Sequence, residues 1–222
     1  MQLKSVDPVD ISKTASAASI IFNALKKAII EGDLEEGAPL RQDEIARMFN
    51  TSRIPVREAI SRLEEHGLVK SQRYKGAVVS GLSAEEADEI FDYRSLLEPH
   101  VIRAAVPNMT PAILTEARAY LEAFAKSEDP MEWGNLNRQF HATLYNASGL
   151  SFHLEAIESA LDRIDRYLRA QLVLSDGMIR ANDEHIRILA ACERGDADTA
   201  AELTRQHILG SKDSLLKNLS KL

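Results

Sequence analysis

Hydrophobic positions recur at helical spacing from the start of the informative region. Ile20, Ala24, Leu25, Ala28 and Ile29 form a stripe that stops at Glu31-Gly32-Asp33, and a turn carrying Gly37 and Pro39 follows. Ile45, Ala46 and Phe49 predict a short amphipathic helix over 42–49. Ile54, Val56, Ile60 and Leu63 predict a second over 53–66, stopped at His66-Gly67. Asn50, between the two, tolerates the left-handed conformation of a tight turn, Ser52 is a good N-cap, and Pro55 is accepted in a first turn. Leu68-Val69 and Ala77-Val78-Val79 are β-type runs around Tyr74-Lys75-Gly76, which predicts a hairpin over 68–80.

Past Gly81 the pattern becomes long helices. Ser83-Ala-Glu-Glu86 has the form of a capping box, and Thr110-Pro111 puts proline at a tolerated first helical position. Asp129-Pro130-Met131-Glu132 combines both signals, and further starts fall at Ser151, near Ser175-Asp176 and at Asp196 after Gly195. Six helices are therefore expected from 83 to about 219, as an antiparallel bundle. The fold class is mostly α. Residues 1–80 are expected to form a winged helix-turn-helix of three helices plus a small hairpin, and 81–222 a second, all-helical domain.

Charge sharpens this division. The chain of 222 residues carries 27 Lys and Arg against 34 Asp and Glu, a formal net charge of −7. Yet residues 47–75 hold seven basic side chains against three acidic ones, a local site for a polyanion on an acidic protein. The single cysteine, Cys192, excludes an intrachain disulfide and a cysteine-based zinc site. The start MQLKSVDPVD lacks the form of a signal peptide, and no apolar run is long enough to span a membrane, so a cytoplasmic protein is expected.

A helix-turn-helix sets the first residues of its second helix against base edges in the major groove. Here those are Ser52, Arg53 and, one turn on, Arg57, with the two arginines on one face as candidate guanine readers. Lys75-Gly76 at the hairpin tip is placed to meet a minor groove or phosphate. The same residues carry a family likeness. Gly37-Ala-Pro-Leu40, Glu44-Ile-Ala, Ser52-Arg-Ile-Pro-Val-Arg-Glu-Ala59, Gly67-Leu-Val69, Gly76 and Val79 together resemble the winged helix-turn-helix of GntR-type bacterial transcriptional regulators. The resemblance implies that Ser52, Arg53, Arg57 and the wing around Gly76 contact DNA. Two positions depart from it. Asp43 stands where relatives often have Arg, and Asn50 where they have a turn glycine.

Three of the six histidines fall on apolar helix faces: His141 after Phe140 and one turn beyond Asn137, His185 with Ile188, Leu189 and Cys192, and His207 with Leu203 and Ile208. Each is open to two readings, a core histidine or a ligand to an ion inside the bundle. Arg94 shares a stripe with Ile90, Phe91, Leu97 and Val101 and so points inward, either to pair with Glu98 at i+4 or to clamp an incoming carboxylate. Arg94-x-x-Leu97-Glu98, Asn137-x-x-Phe140-His141, Glu184-His185-x-x-Ile188-Leu189-x-Ala191, Gly195-Asp196 and Ala200 to His207 resemble the helical FCD domain of the FadR-like branch. That resemblance implies one divalent ion, zinc or nickel by donor type, held by Asn137, His141, His185 and His207, with Asn137 in a position commonly Asp. It leaves His66, His100 and His153 as surface or structural residues.

The reading is a ligand-responsive regulator. It acts as a homodimer on a pseudo-palindromic double-stranded DNA operator, and a small organic acid at the ion alters its DNA affinity. The rival is a helical three-histidine metalloenzyme with an accessory nucleic-acid module. No His-Glu-x-x-His motif supports the rival.

Overall fold

The computed structural model describes residues 16–174 and 177–218. Its contacts fall into two units that meet between Ser80 and Gly81.

The first unit holds α1 (Ala17–Glu31), α2 (Gln42–Met48) and α3 (Arg53–Glu65), followed by β1 (Val69–Gln72) and β2 (Gly76–Val79). The strands pair antiparallel, Val69 opposite Val79 and Gln72 opposite Gly76, and Pro39 adds an isolated bridge to Val78. Ser16 caps α1 by accepting from the Ser19 amide, and Gly32, at φ 85°, ends it in the left-handed conformation open to glycine. The buried face of α1 differs in phase from the sequence pattern: Ala18, Ile21, Phe22, Leu25 and Ile29 are inside, while Ile20 is 52% exposed and Ala24 faces solvent. The helix meets α3 through one face only. In a run as apolar as Ile20-Ile21-Phe22, periodicity alone admits more than one phase. Ile21, Phe22, Leu25 and Ile29 pack with Val56, Ala59, Ile60, Leu63, Leu68 and Val79 into the core of the unit.

The second unit holds six helices among the described residues: α4 (Ala84–Ala105), α5 (Pro111–Lys126), α6 (Pro130–Asn146), α7 (Ser151–Leu174), α8 (Gly177–Glu193) and α9 (Ala197–Asn218). The sequence signals for their starts are largely realised. Ser83 and Thr110 accept from amides three residues on, at 3.1 and 3.4 Å, and Asp196 accepts from Thr199 at 3.1 Å. The signal at Ser175-Asp176 lies outside the described residues. One expectation is corrected: Glu86 does not complete a capping box but binds Arg163 of α7 at 2.6 and 2.8 Å. A charge-assisted bidentate pair is stronger than a bond to a backbone amide. α4 runs along α9, and α5 lies against α6 and α8. The main core joins Val101, Ile102, Phe140, Leu144, Tyr145, Ile188, Leu189 and Cys192, so α4, α6 and α8 bury their apolar stripes together.

Candidate functional site

In the first unit, Asn50 at φ 47° makes the tight turn between α2 and α3. Ser52 occupies the N-cap of α3 with extended backbone, but its hydroxyl makes no cap hydrogen bond and stays exposed. Arg53 and Arg57 are exposed one turn apart, above buried Val56, Ala59 and Ile60. Ile54 departs from its expected core position: it is 60% exposed, beside Arg53 on the leading turn. In a major groove an exposed apolar side chain can contact a thymine methyl. The guanidinium of Arg53 is held by Asp43 of α2. At the hairpin tip Tyr74 sits at φ 68° and is 91% exposed, with the Arg73 guanidinium 4.9 Å from its ring centre. Tyr74 and Lys75 border a shallow concavity with Gly37, Pro39 and Arg41. The sequence pattern placed Ile54 on the buried stripe and Tyr74 only in the hairpin turn, and gave Arg41 no role. An exposed apolar residue and a tyrosine in a turn have no periodic signature.

In the second unit α6, α8 and α9 bring His141, His185 and His207 together, buried, with candidate ligand atoms within 4.8 Å of one another. The Nε2 atoms of His141 and His185 are 3.2 Å apart. Two nitrogens on a tetrahedral zinc with bonds of 2.0–2.1 Å would stand about 3.3 Å apart. Nδ1 of His141 is buried with no hydrogen-bond partner. Nδ1 of His207 meets the Glu184 carboxylate at 2.7 Å, an outer contact of the kind that orients a ligating imidazole. Burial first, then the neighbouring His185 and His207 rings and Arg94, hold His141 well below its ordinary value, and burial with His207 does the same for His185. Both rings are therefore neutral near pH 7, the form that ligates. Burial pushes the Cys192 thiol up to about 12, so it supplies no thiolate. The donor set fits a divalent ion.

Arg94 of α4 is buried and donates from Nε to Glu98 at 2.6 Å and from Nη2 at 3.4 Å. Tyr145 donates to the same carboxylate at 2.9 Å. The structure thus forms the Arg94–Glu98 pair, and it also sets Arg94 on the wall of a small cavity with Asn137 and His141. Two further ion-paired arginines line that cavity. Arg169 donates to Asp165 at 2.6 Å and to Asn135 at 2.8 Å, and Arg138 to Asp162 at 2.6 Å. Gly134 is needed here, since a Cβ would come within 2.6–2.8 Å of the Arg169 side chain. Of the remaining histidines, His100 and His153 stand with ring centres 5.6 Å apart, away from the cluster, and His66 packs against Phe22.

Residues 17–79 match the family described as bacterial regulatory proteins, gntR family, and residues 89–210 match the FCD domain. The chain belongs to the GntR family. This regulator is similar to the uncharacterized HTH-type transcriptional regulator YdhC of Bacillus subtilis, 28% identical over 85% of this chain and 84% of that one. It is also similar to the HTH-type transcriptional repressor GlaR of Escherichia coli, 29% identical over 85% of this chain and 90% of that one. Among solved structures, E. coli McbR/YncC superposes with a TM-score of 0.79 at 26% identity, covering 92% of this chain and 99% of that one. The regulator is a DNA-binding transcription factor with an FCD ligand-binding domain, which sets it among transcriptional regulators and not among enzymes. No helix among the described residues is long and apolar enough to cross a membrane.

Proposed function

We propose that this regulator acts in the cytoplasm as a homodimer on a pseudo-palindromic operator, and that a small organic acid bound at a divalent ion sets its affinity for DNA. The observation that carries the sensor is the meeting of three buried imidazoles from α6, α8 and α9 beside Arg94 and Asn137. Asn137, His141, His185 and His207 hold the ion, zinc or nickel by donor type. When bound, the ion supplies coordination positions for a carboxylate oxygen. Nε and Nη2 of Arg94 go to Glu98, which leaves Nη1 for the second oxygen of the acid. On DNA, Arg53 and Arg57 read guanines, Ile54 meets a thymine methyl and Ser52 bonds the backbone. Lys75 and Gly76, with Arg41 and Tyr74, form the wing contact.

The test is metal analysis of protein purified without chelator, joined to gel shifts on the DNA upstream of its own gene. About one ion per chain is expected, lost in His141→Ala, His185→Ala or His207→Ala and kept in His153→Ala. Failure to retain or take up zinc or nickel would return the three histidines to a packing role. Failure to shift the upstream DNA, with or without metal and organic acids, would remove the operator reading.

A further inference from the structure

The space around His141 limits what the acid can be, given the acid-sensing reading above on which this inference rests. The cavity shared by Arg94, Asn137 and His141 measures only about 20 Å³. That is room for about one water or one head-group oxygen, not for a carbon skeleton. A second cavity, of about 210 Å³, lies between α6 and α7. Arg138, His141 and Leu161 line both, so the two adjoin at those side chains.

The larger cavity is graded from inside to outside. Tyr145 and Ile157 are buried, Ala142, Leu154 and Leu161 half-buried, and the exposed Gln139, Asn146 and Glu158 stand at the rim. An apolar chamber with a few polar groups at its ends is the usual form of a small-molecule site. The charges point the same way. Arg94, Arg138 and Arg169 are each already paired with a carboxylate, Glu98, Asp162 and Asp165 respectively. The groups left to meet an anion, the histidine cluster, Nη1 of Arg94 and the buried, unpartnered Nε of Arg138, all lie at the inner end and suit one carboxylate there. The exposed rim residues Gln139, Asn146 and Glu158 include no cation to receive a second anionic group.

We propose that the effector is a monocarboxylate with a compact apolar body, branched or aromatic, of roughly seven to ten non-hydrogen atoms by the volume of the chamber. Its carboxylate lies at the three-histidine centre and its body fills the space lined by Ala142, Leu154, Ile157 and Leu161. A polyhydroxy acid would leave its hydroxyls against that wall without partners, and a dicarboxylate would bring its second charge to a rim whose exposed residues include no cation.

The test is calorimetric titration of zinc-loaded full-length protein with acetate, butanoate, 3-methylbutanoate and benzoate, and with gluconate and glutarate for contrast. Burying a methylene is worth about 0.8 kcal/mol, so affinity is expected to rise about fourfold per added carbon along the aliphatic series. Benzoate should exceed acetate by a hundredfold or more. Ala142→Phe, which fills the chamber, should flatten the series by removing the gain of the larger acids over acetate. Gluconate or glutarate binding as tightly as 3-methylbutanoate, a series with no length dependence, or an unchanged series in Ala142→Phe would overturn the chamber assignment and leave acid sensing standing. Binding of no acid at all, or failure to load either zinc or nickel, would overturn the acid-sensing reading and the chamber with it.

Discussion

At the scale of single residues, the sensor unit is governed by charges taken out of water together. Arg94 and Glu98 are 4% and 1% exposed, so each depends on the other for compensation. Removing one partner of a buried pair leaves an uncompensated charge and costs about 3–5 kcal/mol. Arg94→Ala is expected to lose stability on that scale, and adding Glu98→Gln should recover part of it, because Tyr145 can still donate to the amide oxygen. Urea denaturation of the single and double variants checks this; equal stabilities would show that Glu98 is no burden when alone. A test of effector binding is therefore cleaner with Arg94→Lys. The histidines add a pH dependence. The folded values of His141 and His185 lie below the ordinary 6.5, so between those values and 6.5 the unfolded chain binds more protons. Stability of the metal-free regulator should be full above about 6.5 and fall as pH drops below it. Thermal unfolding of chelated protein from pH 8 to 5 should show this fall, and His141→Phe should make it shallower. The inward aim of Arg94 was legible, since it follows from one helix's period. The meeting of His141, His185 and His207 was not, because periodicity fixes a face on each helix and says nothing of which faces oppose. The family likeness supplied that.

At the scale of elements, helix starts were legible wherever a cap is local, as at Ser83, Thr110 and Asp196. What a helix does with its remaining faces was not, because those contacts bridge distant parts of the chain. α7 is the clearest case. One side carries Asp162, Asp165 and Arg169 to α6 and the cavity beside His141. Another side carries Arg163 to Glu86 and the Gly81 carbonyl, and the Tyr167 hydroxyl accepts from the Leu82 amide at 3.0 Å. One rigid element therefore touches both the proposed sensor and the first residues of the second unit. An acid that shifts α7 against α6 would move its grip on Gly81 and Leu82. Allosteric couplings run at about 1–3 kcal/mol, and one part-buried hydrogen bond contributes about 1 kcal/mol. Tyr167→Phe is thus expected to keep acid and operator binding while shrinking the acid-induced change in operator affinity about fivefold. Operator titrations with and without acid check it, and an undiminished response would remove Tyr167 from the route.

At the scale of the whole molecule, the change of pattern at Gly81 was legible because the two units use different lengths of element. The placement of basic charge was legible too, on a chain with a formal net charge of −7. An acidic protein repels DNA as a body, so binding must come from local groups set against the groove. In the proposed complex Arg53, Ile54 and Arg57 would supply base contacts, and Lys75 charge. In the proposed dimer two recognition helices would double each contribution. A bidentate arginine contact is worth about 1–3 kcal/mol of discrimination, so Arg53→Ala or Arg57→Ala should lower operator affinity at least tenfold while the dimer stays folded. Lys75→Ala should weaken binding to every sequence alike and flatten its salt dependence. Asp43 adds a term special to this chain, for its carboxylate holds the Arg53 guanidinium. It orients that arginine and, near phosphates, opposes binding. Removing the charge in Asp43→Asn should therefore raise affinity for nonspecific DNA more than for operator, and so lower the ratio between them. Competition titrations with operator and scrambled DNA at two salt concentrations read all four variants. An Arg53→Ala protein that keeps wild-type operator affinity would take the reading face off α3, and an unchanged ratio in Asp43→Asn would leave the Asp43–Arg53 pair as surface detail alone.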